Sequence, residues 1–183
     1  MNMKKTRVRR HVSSAPPPKI RTAVRTDVKR IHDLIEQHLQ EGRLLPRQLS
    51  ELEVHVNRFV VAVDGRGAIV GCGELAPLSH SVAEVRSLVV TGKRRGAGVA
   101  RRIVNELRAR ATRDGYDDLC VFAHQPAYFA HMGFSIVPHT WLPEKISADC
   151  HTCALFRQCG QYAMVADLDG LQDGAAAGQP LHV

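Results

Sequence analysis

The stretch Glu84-Val85-Arg86-Ser87-Leu88-Val89-Val90-Thr91-Gly92-Lys93-Arg94-Arg95-Gly96-Ala97-Gly98-Val99-Ala100-Arg101 decides the fold. It opens inside a β-branched run, Val82–Val90, that reads as a strand. A basic loop with glycines follows, and then a helix start. Ala100, Ile103, Val104, Leu107 and Ala111 recur at helical spacing and define one apolar face. A strand, turn and helix in this order turn several backbone N–H groups outward at the positive end of the helix dipole. Gly96 and Gly98 let the backbone come close to a phosphate. Arg94, Arg95 and Arg101 add positive charge. The segment from Arg94 through Gly96, Ala97, Gly98, Val99 and Ala100 to Arg101 therefore reads as a pyrophosphate cradle. It has neither the Gly-Lys-Ser/Thr of a P-loop nor the G-x-G-x-x-G of a dinucleotide fold.

The flanking sequence supplies the rest of a sheet. Lys19–Val24 reads as a first strand. Thr26 is positioned to cap a helix carrying Val28, Ile31, Leu34, Ile35 and Leu39, which Gly42 ends. A second short helix follows Pro46, with Leu49, Leu52 and Val56 on one face. Phe59–Val63 and Ala68–Leu75 flank Asp64-Gly65-Arg66-Gly67, a hairpin signal. Beyond the long helix come a buried strand at Leu119–Ala123 and a short helix at Pro126–Met132, closed by Gly133. Phe134–Val137 and Tyr162–Leu168 read as closing strands. The order β-α-α-β-β-β-α-β-α-β-β predicts an α/β (α+β) fold. Its mixed, mostly antiparallel sheet has six to seven strands, flanked by about four helices.

Composition narrows the function. The 183 residues suffice for one domain with a core, and 44% of them are hydrophobic. No apolar run of about 18 residues is present to span a membrane, and the basic first residues lead into no apolar signal region. Five cysteines without a signal peptide point to a reducing, cytoplasmic setting. The net charge is +7, and five of those charges belong to Lys4, Lys5, Arg7, Arg9 and Arg10. Residues 1–18, ending in Ser and Pro, form a basic tail: a solvated leader or an arm for an acidic partner. Residues 19–168 form the domain, and the Gly- and Ala-rich residues 169–183 a flexible end.

Lys93-Arg94-Arg95-Gly96-Ala97-Gly98 resembles the [Q/R]-x-x-G-x-[G/A] loop of the GNAT acetyltransferases, with lysine in first place. Tyr128-Phe129-Ala130-His131-Met132-Gly133-Phe134 resembles that family's (F/Y)-(Y/F)-x-x-x-G-F element. The resemblance implies the GNAT acyl-CoA N-acyltransferase fold and acetyl-CoA as co-substrate. Further segments look like the short bacterial N-acetylglutamate synthases. They are Gly42–Arg47, Val70–Gly73, Ala83–Leu88, Gln125–Phe129, Leu142–Lys145, and Asp149–Cys153 with Cys159 and Ala163–Val165. The activity implied is acetylation of the α-amino group of L-glutamate, the first step of arginine synthesis.

Acetyl transfer needs a neutral amine, a polarised thioester carbonyl and a route for the leaving thiolate. Glu84 is the candidate general base, directly or through a water. The resemblance implies a splayed strand, whose amides near Leu88, Val89 and Val90 hold the acetyl carbonyl and pantetheine arm. Where many relatives place a tyrosine acid, this chain has Phe129. Tyr128 stands beside it and is expected to point elsewhere, leaving Tyr128 or His124 as weak acids. By resemblance, Arg47 in Leu45-Pro46-Arg47 is the first choice for a substrate carboxylate and Arg86 the second. Ser87 and Gln125 add hydrogen bonds.

Cys150-x2-Cys153-x5-Cys159 has spacing that zinc could use, with His139 or His151 as a fourth ligand. Three reduced cysteines are the simpler reading, and no metal is assigned. The expected partners are acetyl-CoA and L-glutamate, with a homodimer left open. Two other readings compete: a GNAT enzyme for a polyamine, antibiotic or protein N-terminus, and a nucleic-acid-binding regulator on the same scaffold. The near-balanced charge outside the tail and the low aromatic content, 5%, argue against the last.

Overall fold

Short β-branched runs separated by turn residues build a seven-stranded sheet in the computed structural model, which describes residues 16–41 and 44–168. The strands are β1 (Lys19–Thr22), β2 (Phe59–Val63), β3 (Ile69–Pro77), β4 (Val82–Val90), β5 (Asp118–Ala123), β6 (Ser135–Val137) and β7 (Tyr162–Asp167). Their order across the sheet is β1-β2-β3-β4-β5-β7-β6. Every pair is antiparallel except β4 with β5. That parallel pair needs a crossover, which α3 (Val99–Arg113) provides. Most of the predicted tail 1–18, the residues Gly42 and Arg43, and the predicted end 169–183 lie outside the described residues.

Helices cover both faces. On one face α3 lays Val99, Ile103, Val104, Leu107 and Ala111 onto β2–β5, and Phe129 of α4 (Pro126–Ala130) joins the same core. The opposite face carries α1 (Val28–Glu36) and α2 (Leu49–His55), whose Ile31, Leu34, Ile35 and Leu52 pack on Phe59, Val61, Cys72 and Val89. Further across that face, Leu142 packs on Val82, Cys120 and Ala163. It leads into α5 (Pro143–Ala148).

The helix α5 departs from the expected order, which has no element between the last two strands. It is six residues long, starts on a proline and buries none of its side chains, so no apolar period announces it. The described residues thus hold five α-helices rather than about four. The first helix also starts differently. Thr26 does not cap it; a single 3-10 turn at Arg25–Asp27 leads in. The buried Asp27 carboxylate accepts the Val24 N–H at 2.9 Å and two Arg21 bonds at 2.6 and 3.0 Å. Burial of an acid is tolerable here because all its bonds are supplied. The helix ends at Glu36, before Gly42.

Candidate active site

The glycine loop stands at the N-terminus of α3, as the sequence predicts. Gly96 and Gly98 have φ of +77° and +75°, a left-handed conformation that a side chain would strain. A Cβ on either would meet no atom within 4 Å, so the space in front of the loop is open. Gly98 caps α3, and the first-turn amides of Val99, Ala100 and Arg101 have no carbonyl of their own helix to bind. The loop is moored by Arg95. Its Nε donates to the Val90 carbonyl at 3.0 Å and its Nη2 reaches Glu41 at 2.7 and 2.9 Å. These bonds tie Arg95 to the end of β4 and to Glu41. Arg94 closes the 3-10 turn Gly92–Arg94, and Arg101 is exposed beside the cradle.

The strand leading into this loop is irregular. Cys72 pairs with Val89 and Glu74 with Arg86, so Gly73 faces both Ser87 and Leu88. This is a β-bulge, and Ser87 takes φ +48°, the sole positive φ among described non-glycine residues. One extra residue reverses which side chains face which way. Val82, Glu84, Arg86 and then Val89 face the α1/α2 side, while Val85 and Val90 face α3. β5 pairs with β4 at Val82, Ala83 and Glu84, and no pair is formed beyond. The two parallel strands part there. The Thr91 N–H bonds the Val70 carbonyl at 3.0 Å, so by the antiparallel alternation the Val90 N–H turns away from β3. It points toward the gap.

At the root of the gap lies a network of charges. Glu84 is buried, with 3% of its surface exposed. Its carboxylate accepts from Arg86 Nε at 2.5 Å and twice from Lys145 Nζ of α5 at 2.8 Å. Lys145 also meets Asp149 at 2.9 Å, and Arg86 Nη2 donates to that same carboxylate. Across the strand, Arg47 donates to Glu51 at 3.1 and 2.7 Å, to buried Glu74 at 2.8 Å and to the Ser87 hydroxyl at 3.0 Å. Burial works against the charge on Arg47 and on Arg86. For Arg47, Glu51 and Glu74 more than offset it, and for Arg86, Glu84 and Asp149 do, so both guanidinium pKa values are raised. Burial also pushes the Asp149 carboxyl up, but Lys145 and Arg86 outweigh it and hold it below its usual range.

The structure thus brings Arg47, Ser87, Glu84 and Arg86 onto one face, but with both arginines already paired to the chain's own carboxylates. Lys145, Glu74, Glu51 and Asp149 are members that residue typing did not single out. Lys145 and Asp149 lie in segments whose sequence carries the family likeness, and that was their one signal. Leu45 is exposed on the loop before Arg47, and Gln125 precedes α4 at the end of β5. Phe129 is core, packed edge-on against Phe134. Tyr128 is exposed at 38% where Phe129 is buried, so the neighbouring rings point different ways. Burial raises the Tyr128 phenol pKa, which Arg101 partly counters. Cys150, Cys153 and Cys159 are reduced, and among the described residues no three His, Cys, Asp or Glu converge to hold a metal ion. No described helix is long and apolar enough to cross a membrane.

A profile of the acetyltransferase (GNAT) domain matches residues 55–136, from the end of α2 through the cradle to β6. An uncharacterised N-acetyltransferase of Chlorobaculum tepidum is 30% identical over 149 residues, 81% of this chain and 96% of that protein. An amino-acid acetyltransferase of Mycobacterium tuberculosis is 30% identical over 125 residues, 67% of this chain and 71% of that one. N-acetylglutamate synthase from Neisseria gonorrhoeae, complexed with coenzyme A and N-acetyl-glutamate, has the same fold, with a TM-score of 0.74 at 24% identity. That match covers 82% of this chain and 35% of the synthase. The fold and these likenesses together define an acetyltransferase domain. The chain belongs to the GNAT family of N-acetyltransferases.

Proposed function

We propose that the protein transfers the acetyl group of acetyl-CoA to the α-amino group of an amino acid, L-glutamate first among them, as an early step of arginine synthesis in the cytoplasm. The observation that carries this reading is the parting of β4 from β5 just beyond Glu84. The glycine cradle lies at one end of the gap and the arginine-bearing face at its root. The open space before Gly96 and Gly98 fits a pyrophosphate, which the amides of Ala97 to Arg101 bind, with Arg94 and Arg101 adding charge. Leu88, Val89 and Val90 supply main-chain groups along the pantetheine arm, and the Val90 N–H is aimed to polarise the acetyl carbonyl.

Glu84 takes the proton of the attacking amine through a water, since both its oxygens already accept bonds. Tyr128 donates a proton to the leaving thiolate. Arg47 and Arg86 receive the carboxylates of the amino acid, assisted by Ser87 and Gln125, with Leu45 at the rim. The relatives named for amino-acid acetylation support this substrate class. A second reading, a cationic amine such as a polyamine, draws on one observation. The network holds four carboxylates against three cations.

Thiol release from acetyl-CoA with glutamate, glutamine, aspartate and spermidine at equal concentration tests the assignment. Amino acids are expected to be acetylated and spermidine not. A clear preference for spermidine overturns the amino-acid reading and leaves the acetyltransferase intact.

A further inference from the structure

Asp149 differs from the two acids that the strands carry into the network. Glu74 and Glu84 are held in strands and are almost wholly buried. Asp149 follows the end of α5, lies in no strand or helix, and has 38% of its side chain exposed. Yet the two cations it meets are well enclosed, Arg86 at 24% and Lys145 at 14% exposure. Two enclosed cationic groups converging on one partly exposed carboxylate is the arrangement of a carboxylate-binding site. Here an internal carboxylate fills it.

The charge count points the same way. Arg47, Arg86 and Lys145 face Glu51, Glu74, Glu84 and Asp149, a surplus of one negative charge. A substrate side chain that brings its own carboxylate adds to that surplus. It gains Arg86 and Lys145 only by displacing Asp149. A neutral side chain has no such contest.

We propose that Asp149 is a specificity-determining residue. It occupies the place of a substrate's side-chain carboxylate on Arg86 and Lys145, and so sets how strongly the enzyme favours acidic over neutral amino acids. This rests on the amino-acid reading above. Replacing its charge leaves the donors to the ligand. A charge-assisted bond at a partly exposed site then predicts a change of about tenfold.

The test compares the wild type with Asp149→Asn, each checked for an unchanged fold by circular dichroism and for coenzyme A binding by calorimetry. The kcat/KM ratio of glutamate over glutamine should rise about tenfold in Asp149→Asn, carried by KM. Independently of turnover, glutarate should bind the variant about tenfold more tightly, while its diamide, glutaramide, which has no carboxylate, should gain nothing from the substitution. Lys145→Met should weaken glutarate in either background. An unchanged ratio, or glutarate binding that stays level or weakens in a folded Asp149→Asn, overturns the proposal. If no amino acid is acetylated by either protein but glutarate still tightens, the carboxylate site stands and the amino-acid reading falls. The reverse pattern sinks Asp149 alone.

Discussion

Glu84 is held from two sides by Arg86 and Lys145 at the point where β4 and β5 part. A carboxylate pinned in this way keeps its position whether or not substrate is bound, which suits the proposed role of aligning a water. Glu84→Gln preserves the shape and most of the hydrogen bonds but cannot take a proton. Turnover should fall about a hundredfold or more, with acetyl-CoA affinity unchanged by calorimetry. Part of the loss should return at high pH, where the amine arrives already neutral. Wild-type turnover at neutral pH in this variant would remove Glu84 from the mechanism. Ser87 matters at the same level. Its positive φ shows a backbone held in a costly conformation, and its hydroxyl accepts from Arg47.

The helix α3 and the strand β3 meet unusually closely. A Cβ on Gly73 would lie 2.9 Å from Ile103 Cγ2, 3.1 Å from Leu107 Cδ1 and 3.4 Å from Leu88 Cδ1. The first of these atoms sits on a β-branched side chain with little freedom to turn. Gly73→Ala should therefore destabilise the fold by about 1–3 kcal/mol, read as a lower midpoint in urea. Leu88 belongs to the bulge opposite Gly73, so the same push acts on the strand that borders the gap. Activity at a temperature well below the melting point should drop as well. A variant of wild-type stability would show that α3 can shift outward freely. The helix α5 acts in another way. It buries no side chain of its own, yet it carries Lys145 to Glu84 and places Asp149 at its end.

Across the whole molecule the five thiols divide into two classes. Cys72 and Cys120 are fully enclosed in the sheet, whereas Cys150 and Cys153 are half-buried and Cys159 is exposed. Burial pushes the Cys72 thiol up to about 12, and Cys120 rises for the same reason. In the native protein a thiol reagent at pH 8 should modify three cysteines readily. The other two should react at the rate of global unfolding and all five together in denaturant. Five fast thiols would mean that the sheet opens locally. The pH dependence follows with its sign. Thiols of the unfolded chain ionise near about 8.5, while Cys72 stays protonated to about 12. The native state binds more protons in that window, so stability should fall as pH rises through it, measured as a decreasing melting temperature.

Much of this was legible in the chain itself. Strong periodicities announced α1, α3 and the strands of the hairpin, and β4 was read with its observed bounds, because each buries a face with its own repeat. The cradle was legible because Gly96 and Gly98 before an amphipathic helix leave little else for the backbone to do. The bulge at Ser87 was not, since Val82–Val90 alternates no differently from a regular strand. It arises from pairing with Gly73, and it decides that Glu84 and Arg86 share a face with Val89. The helix α5 was hidden for want of an apolar stripe. Glu74 as a partner of Arg47 and Asp149 as a partner of Arg86 were hidden because they come from 27 and 63 residues away in the sequence. Local sequence determines what each segment prefers by itself. Which charges meet in the cleft depends on how separate elements are stacked on the sheet, and that is decided only when their apolar faces are buried together.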